Sequence, residues 1–326
     1  MQTATQTEEL IGTMLDGGMD DGAMAHALLS MTDEGTNSET IVGAARAVMA
    51  RALPFEAPPD SIDVCGTGGD GKQTYNISTA VAFVVAACDV PVVKHGNRGV
   101  SSRSGSSDVL GALGLPSGLS VDFWQRMVAQ HKIAFLFAPH FHPGLARLAP
   151  VRRALGTRTI FNVLGPLCNP AGVKRQLMGV YSPSLVSIIA DVMQARGMES
   201  AWVVHGHDGG DELSIAGESH VAMVDRQSNA RSIIAPEHAG LQRMDADALT
   251  GGTPENNAKA LSEALSGTKG AYREAIILNA AAALVVAGAE NDLALAAKQA
   301  TQAIDSGRAL AIVSALQNAA SKEHHV

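Results

Sequence analysis

Glycines, hydroxyls and cations gather in two segments of this chain in a pattern suited to holding an anion. The first runs from Gly66 to Thr79 as GTGGDGKQTYNIST. Gly66–Gly71 satisfies the GxGxxG dinucleotide pattern, and Gly66–Lys72 satisfies the first seven positions of the nucleoside-triphosphate loop GxxxxGK[ST]. Neither match survives its chemistry. A dinucleotide site needs a helix opening at the loop and an acid after the next strand, whereas here the helix cannot start before about Ser78 and the next strand ends in Lys94-His95. A triphosphate loop needs a hydroxyl after Lys72, but residue 73 is Gln, and Asp70 brings negative charge into the cradle. What remains is a glycine turn that lets backbone N–H groups approach an anion, then Asn76, Ser78 and Thr79 at a helix N-terminus with its free donors and partial positive charge. Asp70 suits ribose hydroxyls or a magnesium-bound water. The same residues also describe a tight turn with an ordinary cap, and one loop alone does not separate the two.

The second segment shifts the balance toward an anion. KHGNRGVSSRSGSSD (Lys94–Asp108) supplies Lys94, Arg98 and Arg103 as cations and five serines as donors, among glycines that permit close approach. A third group, HGHDGGDELS (His205–Ser214), carries Asp211-Glu212. Magnesium takes one or two carboxylates plus phosphate oxygens and water, so such a pair facing a diphosphate suffices; the same pair could instead open a helix. Asp208 and Asp211 lack the other ligands of a calcium loop, and His205 and His207 have no partners for a zinc site.

These groups need a scaffold that brings them together. Short β-type runs are predicted at Ile62–Cys65, Val90–Val93, Ile133–Phe137, Gln176–Val180, Ala201–Val204, Val221–Val224 and Ser232–Ala235, with helical patterns such as Thr79–Cys88, Val121–Gln130 and Ser184–Arg196 between them. Strand–helix alternation predicts a largely parallel sheet flanked by helices, whose ligands sit at the carboxyl ends of the strands. The chemistry-bearing segments, with APHFHPG (Ala138–Gly144), all follow such ends. Ahead of the sheet lie three predicted helices: one opened by a Thr5/Glu8 capping box, one over Asp20–Met31 and one over Ser38–Leu53. Pro58-Pro59 marks a boundary, and the tail from Thr253 is helical again.

Length and composition fit this plan. The 326 residues are 46% hydrophobic and 17% charged, enough for one large or two modest domains and against disorder. Three widely spaced cysteines and an acidic, polar N-terminus predict a cytoplasmic protein without disulfides. The most apolar run, Ala275–Ala289 with Asn279 inside it, is too short to span a membrane and reads as a buried helix. Net charge is −8, yet no acid lies between Asp122 and Asp191, where eight Lys and Arg residues stand. That asymmetry suits an anionic partner unless the fold brings acids in from elsewhere.

From Asp63 to Ala283 the chain resembles the anthranilate phosphoribosyltransferase family of tryptophan biosynthesis, through DVCGTGGDG, YNISTA, VVKHGNR, SSRSGSSDVLGALG, FHPGLARLAPVRRALGTRTIFNVLGPLCNPA, VVHGHDGGDELS, GGTPENNA and NAAAAL. The resemblance implies that phosphoribosyl diphosphate is held by Gly66, Gly69, Asp70, Thr74, Asn76, Ile77, Ser78, Thr79, Lys94, Asn97, Arg98, Ser102 and Ser106. It implies anthranilate at Gly66, His95, Asn97, Arg152 and Gly165, with Arg152 facing the carboxylate, and Mg2+ at Ser78, Asp211 and Glu212. Gly210, Ser107 and Cys168 depart from leucine, alanine and threonine without removing a polar contact.

The implied architecture is α/β: a small all-helical domain, residues 1–58 with 150–172 returning to it, and a larger α/β domain, 61–149 and 173–326, with a mostly parallel sheet flanked by helices. A homodimer through the helical part and hinge closure over the substrates belong to the same implication. The implied reaction is displacement of magnesium diphosphate from the ribose anomeric carbon by the anthranilate amine, with inversion. Two rivals stand beside it. A pyrimidine nucleoside phosphorylase would share the fold without needing the acidic pair. A non-catalytic nucleic-acid-binding relative would use the basic stretch, against which a pI of about 5.7 and the absence of an aromatic platform argue.

Overall fold

The computed structural model describes residues 2–32, 36–99 and 103–323. Seven strands form one sheet: β1 (Ile62–Gly66), β2 (Val92–Gly96), β3 (Ile133–Phe137), β4 (Arg175–Gly179), β5 (Ser200–His205), β6 (Ser219–Asp225) and β7 (Asn229–Ile234), in the order β3-β2-β1-β4-β5-β6-β7. The first five are parallel, buried on both faces and therefore almost continuously apolar; β6 and β7 close the edge antiparallel. The mostly parallel α/β architecture expected from the pattern is the one observed.

Three helices, α1 (Ala4–Leu15), α2 (Asp21–Leu29) and α3 (Ser38–Met49), precede the sheet. The capping box of α1 is formed by Thr3 and Gln6 rather than Thr5 and Glu8, and α3 stops at Met49, short of Pro54. Helices α4 (Ile77–Ala86), α5 (Ser106–Ala112), α6 (Val121–His131), α7 (Ala138–Phe141), α8 (Ala149–Leu155), α9 (Phe161–Leu167) and α10 (Pro183–Ala195) fall between strands. The chain ends in α11 (Pro254–Leu265), α12 (Ala271–Ala287), α13 (Leu293–Asp305) and α14 (Arg308–Glu323). The apolar run containing Asn279 is α12, a buried helix as predicted, and no helix of the described residues is long and apolar enough to cross a membrane.

Two apolar cores lie on opposite faces of the sheet. One joins α4, α5, α6 and the C-terminal helices to Ile62, Val64, Leu177 and Trp202. The other joins α1–α3, α9 and α10 to Met178, Val180, Ala201 and Val203. The period of two explains the division: register partners Leu177 and Trp202 face one core, Met178 and Val203 the other. Because β2 and β4 flank β1, the chain reverses its winding direction at the β1/β4 junction, and α4 and α10 leave on opposite sides. A crevice opens at such a point in parallel sheets.

Candidate active site

Glycine ends three neighbouring strands: Gly66 on β1, Gly96 on β2 and Gly179 on β4, with Gly66 and Gly179 in register. Side chains are excluded there because other residues already fill the space. A Cβ on Gly179 would collide with the Asp211 backbone, one on Gly66 with the Asp211 carboxylate, and one on Gly96 with the Ser106 hydroxyl. The loop after β5 thus lays Asp211 across the β1/β4 crevice. Asn279 of α12 holds this loop from beneath: its Oδ1 accepts from Leu213 N at 2.9 Å and its Nδ2 donates to Leu213 O at 3.1 Å.

The first glycine loop starts in this crevice. Thr67 N donates to Gly179 O, Gly68 N donates to Asp211 Oδ2 at 2.7 Å, and the left-handed φ of Gly68 and Gly69 turns the chain away from the sheet. The loop ends at α4, which starts at Ile77 with Asn76 as its N-cap, one residue earlier than the pattern placed it. Asp70 is half-buried and shares a hydrogen bond with Asp211. Burial first, and then Asp70, pushes the Asp211 carboxyl up to about 6. Burial and Asp211 push Glu212 up to about 8, although the Ser78 amide at the head of α4 donates to it. Lys94, buried in β2, donates to Ser78 Oγ at 3.2 Å and to Val64 O, so its charge lies under the acids.

Three carboxylates crowded at one strand edge, destabilised as anions by one another and by burial, are a donor set that a divalent cation would satisfy. Among the described residues no group of three His, Cys, Asp or Glu is placed to hold a metal ion by itself. An open set completed by phosphate oxygens and water is what magnesium prefers. The predicted metal residues Ser78, Asp211 and Glu212 therefore fit the ion.

The other wall of the crevice is built around α9. Its last carbonyls are each taken by a side chain, and Gly165 O also accepts from Cys168 N at 3.2 Å. His95 Nδ1 bonds Gly165 O at 3.1 Å, Gln176 Nε2 bonds Pro166 O at 2.7 Å, Arg196 bonds Leu167 O, and His142 Nε2 bonds Cys168 O at 2.8 Å. Each ring nitrogen facing a carbonyl must carry the proton, so His95 Nε2 and His142 Nδ1 are bare lone pairs, and neither has a partner. The rings lie edge to face, 5.1 Å apart. Burial, and then the neighbouring imidazole, holds His95 down to about 3, and burial lowers His142 as well. Arg152 of α8 packs over Phe161, half-buried, and has no carboxylate partner among the described residues.

The predicted residues thus fall into three groups. Gly66, Gly69, Asp70, Ser78, Lys94, Asp211 and Glu212 share the acidic crevice through the contacts above, and Thr74, Asn76, Ile77 and Thr79 continue its loop into α4. His95 and Gly165 meet directly, with Arg152 joined to them through α9. Asn97 and Arg98 are exposed: the Asn97 carbonyl accepts from Ser106 Oγ, and Arg98 lies over Phe137 rather than over the glycine loop. Ser102 lies outside the described residues.

Comparison with known proteins shows the family. A glycosyl transferase family model, its a/b domain, matches residues 58–310. Anthranilate phosphoribosyltransferases of Novosphingobium aromaticivorans and of Rhodopseudomonas palustris strain HaA2 are 45% and 47% identical; each alignment covers 94% of this chain and 93% or 91% of the relative. The chain belongs to the anthranilate phosphoribosyltransferase family. Among solved structures, the family member from Thermus thermophilus superposes with a TM-score of 0.93 at 35% identity, over 98% of this chain and 96% of that one. That from Saccharomyces cerevisiae, in complex with PRPP and Mg, gives 0.84 at 26% identity over 98% and 94%.

Membership in the anthranilate phosphoribosyltransferase family makes the chain a glycosyltransferase and draws attention to residues that sequence reasoning passed over. His142 was visible only as part of the strand-end run APHFHPG; its partner carbonyl comes from the end of α9. Arg158 stacks on Tyr181 at 4.2 Å and donates to Gly69 O, tying the α8–α9 turn to the glycine loop. Part of the basic stretch is indeed neutralised from elsewhere: Arg126 pairs with Glu323, and Arg175 with Asp60 and Glu199.

Proposed function

We propose that this enzyme transfers the 5-phosphoribosyl group from phosphoribosyl diphosphate to the amine of anthranilate, giving N-(5-phosphoribosyl)anthranilate and diphosphate in tryptophan biosynthesis. The observation that carries the reading is the pairing of an acid-lined strand-end crevice with a wall that offers an arginine without a carboxylate partner among the described residues and two acceptor imidazoles. The yeast relative's complex with PRPP and Mg supports the same reading.

Gly66, Gly69, Asp70, Thr74 and the head of α4 hold the phosphoribosyl diphosphate, together with Asn97, Arg98, Ser102 and Ser106 of the second loop. Ser78, Asp211 and Glu212 hold Mg2+, which when bound offsets the negative charge of the diphosphate. Lys94 fixes Ser78 and balances the buried acids, while Arg152 takes the anthranilate carboxylate. His95, at Gly165, and His142 present lone pairs to amine hydrogens and so orient the amine. An aromatic amine is uncharged at neutral pH and attacks without prior deprotonation; His95, which burial keeps neutral, orients it through its Nε2 lone pair.

Residues 1–58 with 150–172 form a helical unit that closes on the α/β unit, consistent with the core shared by α1–α3 and α9. A homodimer through that unit would cover Leu29 and Leu53, which are 48% and 54% exposed. A cytoplasmic location agrees with the three free cysteines.

One assay tests the reaction: incubate the protein with phosphoribosyl diphosphate, anthranilate and Mg2+, and follow anthranilate fluorescence. Signal should fall, and chelating the metal should stop the fall. Phosphorolysis of thymidine or uridine without a metal requirement, with no loss of anthranilate, would establish the phosphorylase reading instead.

A further inference from the structure

Asn76 occupies the N-cap of α4 and does not cap it. The contrast with Asn37 is direct: at the head of α3, Asn37 Oδ1 accepts from Thr40 N at 2.9 Å, as an N-cap asparagine ordinarily does. The Asn76 side chain is held elsewhere. Its Oδ1 accepts from Asn257 Nδ2 at 2.9 Å and from Ser104 Oγ at 3.3 Å, and its Nδ2 donates to Ser104 O at 3.0 Å. Of the first-turn amides of α4, Ile77 N donates to Tyr75 O at 2.8 Å and the Ser78 amide faces Glu212, so the amide left unconsumed by the missing cap is that of Thr79, in a helix whose N-terminus faces the crevice.

Asn257 is built to do this. It is 1% exposed, lies in the first turns of α11, and its own Oδ1 accepts from Gly252 N at 2.7 Å, which orients Nδ2 toward Asn76. The segment before it is stitched to the glycine loop: Tyr75 N donates to Leu249 O and Gly251 N to Gln73 O, both at 2.9 Å. A Cβ on Gly251 would lie 2.8 Å from Thr74 O, so only glycine allows that approach. Tyr272 of α12 stacks on Tyr75 and donates to Asn76 O at 3.2 Å. The GGTPENN segment (Gly251–Asn257), far from the strand ends in sequence, thus fixes the junction between the two anion-suited loops.

We propose that Asn257 is a positioning residue for phosphoribosyl diphosphate. By holding Asn76 away from the cap position and against the Ser104 loop, it keeps the Thr79 amide of α4 open to the substrate's phosphate oxygens. This rests on the function proposed above. Without the Asn257 donor, Asn76 can turn back and cap α4 at Thr79 N, closing that amide to the substrate.

The test is calorimetric binding of phosphoribosyl diphosphate with Mg2+, alongside steady-state kinetics. Asn257→Asp keeps size and the Gly252 acceptor but removes the donor; Asn257→Ala removes both. Each should weaken phosphoribosyl diphosphate about tenfold or more in Kd and KM, and leave the KM for anthranilate within about twofold. In an Asn76→Ala background the Asn257 effect should vanish. Leu261→Ala, which opens a cavity in the same helix without touching Asn76, controls for lost stability and should leave Kd unchanged. Unaltered binding in the Asn257 variants, an effect that persists without Asn76, or equal weakening in Leu261→Ala would overturn the proposal. A wild-type protein that binds phosphoribosyl diphosphate but does not consume anthranilate would refute the proposed reaction while the Kd comparison still decides the role of Asn257. A wild-type protein that does not bind it refutes both.

Discussion

The two walls of the crevice solve opposite electrostatic problems. The β1/β4 wall concentrates Asp70, Asp211 and Glu212, relieved only partly by the Gly68 and Ser78 amides and by Lys94 beneath. It carries more negative charge than its own donors can satisfy. The α9 wall has one acid beside it, Asp63, fully buried and held by Asn169 Nδ2 and the His95 amide; its other donors are spent on the carbonyls of a helix end, and what it leaves over is two lone pairs and the Arg152 guanidinium. On the function proposed above, the first wall would take the cation and the second the acidic, hydrogen-donating substrate, so that a single cleft would bind two anionic substrates in distinct places.

The sharpest way to break this comparison is to remove the charge of the first wall. Asp211→Ala with Glu212→Ala should lower kcat/KM by at least ~10²-fold, since they are assigned the cation that serves the leaving diphosphate. Thermal stability without metal should not fall, because two crowded, partly buried carboxylates are lost. Full activity in that double variant would refute the assignment. A lowered melting temperature with activity scaling to it would make the pair structural.

The second wall should fail differently. Arg152→Ala should raise the KM for anthranilate by roughly 10- to 100-fold, the worth of a charge-assisted hydrogen bond, and leave the KM for phosphoribosyl diphosphate within about twofold. Arg152→Lys should recover only part, because a point charge does not reproduce a planar fork. If both substrates weaken together, the walls are not separate sites.

How much of this could be read from the sequence followed from where each residue's partner lies. The glycine loop, Asn76, Lys94 and the Asp211-Glu212 pair announced themselves because their chemistry is local: unusual residue types packed into a few positions at strand ends. The sheet was legible for a similar reason, since buried parallel strands are short apolar runs. Gly179 and Gly96 were not, because a single glycine ending a strand acquires meaning only from register and from the residue laid across it. Asn279 appeared as an interruption in an apolar helix; its partner, Leu213, lies 66 positions away. Asn257 and His142 were hidden likewise, each defined by an acceptor in a distant element. The Thr3/Gln6 capping box shows the local limit, where two equivalent patterns overlap and packing selects one.

The smallest predicted effect tests whether the α9 wall is kept neutral. His95 has a usual value of 6.5 and is held at about 3 in the folded protein, chiefly by burial. As pH falls below 6.5 the unfolded chain takes up a proton that the folded chain refuses, so this group's contribution to stability is complete above 6.5 and is lost progressively toward pH 3. The slope from this one group is about 1.4 kcal/mol per pH unit. His95→Asn places an amide nitrogen where Nδ1 donates to Gly165 O and cannot titrate, so denaturant unfolding across that range should show the variant losing stability less steeply than wild type by about that amount. His142→Gln, matching an Nε2 donor, should flatten the profile further, since His142 is also lowered. Parallel profiles for wild type and His95→Asn would mean that His95 accepts its proton in the folded state. The second wall would then be cationic at acid pH, and its separation from the first would rest on Arg152 alone.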